Sequence, residues 1–246
     1  MTTMGTMMKN KNEYIISDTH FFHSNIIKYC GRPYDYTKRE DIFRMNEDIL
    51  KLFDNLPDEE NVTIWNLGDV FFSKMIAEVG IYELKSYVDR MRGTKRKLNL
   101  VLGNHDKTIL KALGIKNKSL IQFFTELGFD KVYDHPIIIR DKYILCHEPV
   151  YIGKKSPFKV IYGHTHNTCV DENYMCYDLE NWAMEARAYR KNGLEPPEKK
   201  IVWPERKIDI KDYYNVCLDH AHKILKLDDV ISELESDTYK GQKDAN

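Results

Sequence analysis

Five short apolar runs in this chain each end in residues able to hold a cation. Asp18 and His20 follow the run 14–17, Asp69 follows 62–67, and Asn104 and His105 follow 98–102. His147 follows 143–145, and His164 and His166 follow 159–162. Glycine stands just before three of these groups, at Gly68, Gly103 and Gly163, where a chain without Cβ can turn sharply and approach a ligand closely. Imidazole together with carboxylate suits borderline divalent ions, with Mn favoured and Fe, Zn, Ni or Co compatible, over the all-oxygen shells of Ca or Mg. No thiolate is required, so a cysteine-type structural zinc site is not implied. Seven ligands are enough for a pair of cations. Two ions about 3.5–4 Å apart clamp an oxyanion and prepare a hydroxide for in-line attack at phosphorus.

Such a site needs its strands aligned, because open α/β sheets bind ligands outside the carboxyl ends of their strands. The pattern predicts strands at 14–17, 62–67, 98–102, 159–162 and 213–218, with a hairpin of 137–139 and 143–145 turning at Asp141-Lys142. Between them, Thr37 with Glu40 reads as a capping box for a helix over 38–54 that carries Ile42, Met45, Ile49 and Phe53 on one face. Ser73 reads as the cap of a helix bearing Ile76, Leu84, Val88 and Met91. Further helices are expected at 120–127, closed by Gly128, at 178–192 and at 227–234.

In order along the chain, D-T-H, G-D, G-N-H-D, a lone His after a strand, and G-H-T-H make the sequence similar to the calcineurin-like metallophosphoesterases. The opening Asp18-Thr19-His20-Phe21-Phe22-His23 with Arg32-Pro33 resembles a group of small bacterial and phage members. The resemblance runs from Asp18 to about Leu218. It implies an α/β fold of four αββα layers, two mixed sheets flanked by helices, in a single domain over 1–246. By position it gives the first metal to Asp18, His20 and His166, the second to Asn104, His147 and His164, and a bridging place to Asp69. His105 would protonate the leaving oxygen, and Asp106 would orient His105 through its far nitrogen. A hydroxide between two divalent ions would attack phosphorus. The resemblance stops short at G-D: Gly68-Asp69 continues as Val70-Phe71-Phe72-Ser73, without the Asp-Arg-Gly of the protein Ser/Thr phosphatases.

An acid such as His105 matters most for poor leaving groups, so the expected activity is a phosphodiesterase acting on a small nucleotide or cyclic nucleotide. Phosphomonoesterase and nuclease activities share the chemistry, and a non-catalytic scaffold would have lost ligands that are all present here. Lys plus Arg number 37 against 38 Asp plus Glu, so stable nucleic-acid binding is not expected. Five scattered cysteines, no apolar leader and no bilayer-length apolar run point to a cytoplasmic protein without a membrane partner.

Two residues near the motifs stay open between substrate and structure. His23, three residues past His20, faces either phosphate or packing, and Arg32 either clamps phosphate or steadies the turn at Pro33. The basic run 90–97 reads as a solvated face. An insertion at 168–210 carries Tyr174, Tyr177, Trp182, Tyr189 and Trp203. It fits a packed excursion, a lid over the substrate or a homodimer contact. The polar tail 235–246 is expected to fray.

Overall fold

The computed structural model describes residues 12–172, 189, 193, 195 and 208–245. The insertion's aromatics other than Tyr189, and most of the expected helix 178–192, lie outside the described residues.

Two sheets carry the fold. The first contains β1 (Asn12–Ile16), β2 (Val62–Asn66), β3 (Lys97–Val101), β4 (Lys131–Tyr133) and β9 (Leu225–Lys226), in the order β4-β3-β2-β1-β9. Strands β1 to β4 pair in parallel, and only β9 runs against them. The second contains β5 (Ile137–Ile139), β6 (Tyr143–Cys146), β7 (Lys159–Tyr162) and β8 (Tyr213–Asn215) in sequential order. Here β6, β7 and β8 are parallel and β5 is the antiparallel arm of the hairpin. Its turn places Arg140 and Asp141 in the left-handed region.

Alternation along the strands builds two cores at once. Ile15, Trp65 and Val101 of the first sheet face Leu145, Ile161 and Tyr214 of the second, and α5 (Leu227–Leu234) adds Leu227, Val230 and Leu234. Their neighbours Ile16, Ile64, Leu98 and Leu100 face the other way, against α1 (Ser24–Cys30), α2 (Arg39–Asp54), α3 (Ser73–Arg92) and α4 (Leu120–Leu127). On the outer face of the second sheet, Cys146, Val160 and Tyr162 pack with Val170 and Ile208. The result is two mixed sheets packed face to face and flanked by helices.

Several local signals resolve differently from their sequence reading. Helix α2 starts at Arg39 with Lys38 at its N-cap, and Thr37 instead bonds to Asp35. The capping box fails because Asp35 accepts both the Thr37 N–H and its hydroxyl. Helix α3 begins at Ser73 itself, behind Phe72 at the N-cap, and holds a non-helical Gly80 at φ 79°. The basic run is a solvated face at Lys95 and Lys97, and its arginines are also wired into the fold. Arg90 pairs with Asp54 and Glu47, and Arg92 with Asp130. Arg96 is buried and donates to the carbonyls of Phe53, Leu56, Met91 and Arg92, filling acceptors that two helix ends leave over. Up to residue 245, the tail lies against the fold. Tyr239 donates to the Tyr213 carbonyl, Gln242 Nε2 to the Asn215 carbonyl, and Ala245 N–H to the Asn167 carbonyl. The tail thereby covers β8, an edge strand whose backbone would otherwise be open.

Candidate metal centre

Parallel pairing puts the carboxyl ends of β1, β2 and β3 side by side, and likewise those of β6, β7 and β8. The two sheets meet at this end: Ser17 N–H donates to the Val216 carbonyl, and Leu218 N–H to the Ser17 carbonyl. The five ligand groups therefore converge on one place.

The backbone there is bent hard. Asp18, His20, Asp69, His164 and His166 have φ of 61°, 50°, 52°, 71° and 52°, a region that side-chain-bearing residues seldom enter. Backbone in this region stores strain, and it concentrates at functional sites. Close approach is equally demanding. A Cβ on Gly103 would collide with the Asp69 carboxylate, and one on Gly163 with Ser17 Oγ and Asp18 Oδ2.

Two groups of ligand atoms face each other across Asp69. In one, His20 Nε2 lies 3.5 Å from Asp18 Oδ1 and 3.6 Å from Asp69 Oδ2, with His166 Nε2 3.9 Å from Asp18 Oδ1. In the other, His147 Nε2 lies 3.4 Å from Asp69 Oδ2 and 2.9 Å from Asn104 Oδ1. His164 Nδ1 stands 3.1 Å from Asn104 Oδ1 and 3.2 Å from His147 Nε2. Ligands about 2.1 Å from one cation stand about 3.0–3.4 Å from each other, so these spacings suit a shared ion. Asp69 faces both groups with one oxygen only. Its Oδ1 accepts the His105 N–H at 2.8 Å, which leaves Oδ2 to be shared, instead of one oxygen for each ion.

The residues fit a metal pair on a further observation. Asp18 Oδ1 and His20 Nε2 are buried and have no hydrogen-bond partner. Buried polar atoms are seldom left orphaned without a reason, and a cation between them satisfies both. The ring orientations agree. His147 Nδ1 is 2.8 Å from the Leu67 carbonyl and His166 Nδ1 is 2.9 Å from Asp219 Oδ2, so each turns Nε2 inward.

Without cations, the charged groups of the site answer one another. Burial alone would raise the Asp18 and Asp69 carboxyls, but the facing His147 and other imidazoles hold both below the usual range. Burial disfavours charge on His147 and His166 too. Asp18 and Asp69 outweigh it at His147, pushing it up to about 9, and Asp219 does so at His166, pushing it up to about 10. Burial keeps His20 and His164 below the ordinary histidine value.

The remaining candidates take distinct places. His105 is a third exposed, its Nε2 3.9 Å from Asp69 Oδ2 and its ring edge-on to Phe72. Asp106 does not touch His105. Its carboxylate is fully buried and accepts the N–H groups of Asp69, Val70 and Gly103, tying the two ligand turns together. Burial and the nearby Asp69 carboxylate push it up to about 7. His23 is buried, stacked on Phe72 at 3.6 Å between ring centroids, with its Nδ1 3.3 Å from His20 Nδ1. Burial, then its neighbour His20, lower it to about 3.

Arg32 is not a surface arginine: its side chain is 7% exposed. Its guanidinium forks onto Asp219 at 2.6 and 2.9 Å and donates to the carbonyls of Asp18 and Thr19. Asp219, which follows β8, was missed by the sequence reading. Burial opposes its ionisation, but His166 and Arg32 hold it at about 2. The signal was one more polar residue after one more strand.

The family model for calcineurin-like phosphoesterases matches residues 14–224. An uncharacterized protein of Methanocaldococcus jannaschii is 33% identical over 100 residues, 41% of this chain and 49% of that protein. The chain thus spans about half the length of the curated relative it matches. A crystal structure of a protein of unknown function from Aquifex aeolicus is similar at 20% identity and a TM-score of 0.46, covering 90% of this chain and 98% of that one. No helix among the described residues is long and apolar enough to cross a membrane.

Proposed function

The chain belongs to the calcineurin-like phosphoesterase family, and from that premise we propose that it is a phosphodiesterase cleaving a small nucleotide or cyclic-nucleotide ester. The coarser statement, a metal-dependent phosphoesterase, rests on the family and on the clustered ligands. The observation that carries the finer reading is the place of His105: a partly exposed imidazole 3.9 Å from Asp69 Oδ2, at the open side of the cluster.

Asp18, His20, His166 and Asp69 would hold one cation, and Asn104, His147, His164 and Asp69 the other. When bound, two divalent ions supply Lewis acidity toward phosphate oxygens and an activated water, and the nitrogen–oxygen donor set favours Mn, with Fe, Zn, Ni or Co admissible. The chain's own residues do the rest. His105 donates its proton to the departing oxygen, a contribution of roughly 10²–10⁴ in rate. Phe72 packs against the edge of that imidazole, and the His105 N–H bond to Asp69 Oδ1 fixes the backbone that carries it. Asp106 and Arg32 act behind the ligands, fixing the turns that present them.

His105→Ala tests this. It is expected to lower kcat by roughly 10²–10⁴ for an alkyl phosphodiester, with metal content unchanged. A nitrophenyl leaving group needs no proton, so its ester should lose far less. Equal losses for both esters would remove the acid role, and with it the case for diesters over monoesters.

A further inference from the structure

A cavity of about 180 Å³ opens beside the second ligand group, with Asn104 and His147 in its wall. It lies at the carboxyl ends of β3 and β6, and Val101, Leu102, Pro136 and Val150 give it an apolar lining. The rim is polar but mixed. Lys107 and Glu148 stand on it, both exposed, and among the described residues neither makes an ion pair. The other rim charges, Asp134 and His135, satisfy each other at 2.8 Å.

Size and charge together select the occupant. At about 180 Å³, the cavity is on the scale of one small ring system. A second phosphate would meet one ammonium and two carboxylates, the reverse of the single-sign cleft that gathers anions. The group is therefore neutral. Its faces must be apolar to lie on Val101, Pro136 and Val150. Its edge must offer acceptors to Lys107 and donors to Glu148. A nucleobase combines apolar faces with an edge of donors and acceptors.

We infer that this cavity receives the base of a nucleoside esterified to the scissile phosphate, with Lys107 and Glu148 reading its edge. The inference rests on the phosphodiesterase reading and narrows its substrate to mononucleoside esters. It also places base recognition on the β3–β6 side of the centre, on described residues, and not on the insertion.

The test compares two esters with the same leaving group, thymidine 5′-(p-nitrophenyl) phosphate and methyl p-nitrophenyl phosphate, on the full-length manganese-loaded protein. The wild type is expected to show a KM at least tenfold lower for the thymidine ester. Val150→Trp, which thickens the apolar lining, and Glu148→Ala, which removes the acceptor, should each abolish that preference while leaving the methyl ester's constants unchanged. No preference in the wild type, or a preference that survives both changes, overturns the inference. If neither ester is cleaved, the phosphodiesterase reading has failed instead. The cavity is then judged by the methyl resonances of Val101 and Val150, which thymidine 5′-monophosphate should shift and inorganic phosphate should not. Ribose 5-phosphate shifting them equally would reassign the cavity to a sugar and contradict the base.

Discussion

At the scale of single residues, the ligands were legible because their types are restricted and each follows an apolar strand. The residues behind them were not. Asp106 follows the motif histidine and looks like its partner. Only the tight turn after Asn104 shows that its carboxylate points back to the N–H groups of Asp69, Val70 and Gly103. Arg32 is 187 residues from Asp219 in sequence, so no local pattern links them. Arg32 is predicted to act through His166. Arg32→Ala should strip Asp219 of its bidentate partner, loosen His166 and weaken manganese at the first site by tenfold or more, measured by titration calorimetry. Arg32→Lys should recover little, since an ammonium cannot reproduce the planar fork. A variant with normal metal affinity but a raised KM would return Arg32 to a role in phosphate binding.

At the scale of elements, the strands that run into ligands were readable from their apolar character and the glycines after them. The shorter pieces β4 and β9 were not. With three and two residues, they owe their existence to neighbours already in place. The Thr37 capping box failed for a related reason: Asp35, two residues earlier, competes for the same donors. The tail illustrates tertiary override most clearly. Its sequence is polar, yet Tyr239, Gln242 and Ala245 bind it along β8 and beside the turn that carries His166. Deleting residues 237–246 is predicted to lower Tm by several degrees, since each kcal/mol is worth about 2–4 °C at this chain length. The metal-loaded deletion should also release its cations faster to a chelator. An unchanged melting curve would mean the tail contributes nothing to holding the edge.

At the scale of the whole molecule, the site is assembled from both sheets, and without cations it is a set of buried charges answering one another. His147 and His166 are raised to about 9 and about 10 by the carboxylates around them. Groups raised on folding contribute stability that is complete below their unfolded value, about 6.5, and lost as pH climbs through 9–10. His20, His23 and His164 are lowered, so they cost stability as pH falls below about 6.5. Calorimetry of metal-free protein should therefore show its highest Tm near pH 6.5–7 and a decline toward pH 10. The same scan with saturating manganese should lack the alkaline decline that His147 and His166 cause, because metal binding already requires both imidazoles neutral. Parallel declines with and without metal would show that these imidazoles do not lie in the cation site.

The most direct test of the central claim is the metal content of Asp69→Asn beside that of the wild type, measured by elemental analysis after manganese loading and gel filtration. Asp69 Oδ2 faces both ligand groups, so the wild type should retain two ions per chain, and the variant should lose at least one of them. An amide oxygen carries no charge to share between two cations. One ion in the wild type, or two in the variant, would contradict a paired site centred on Asp69.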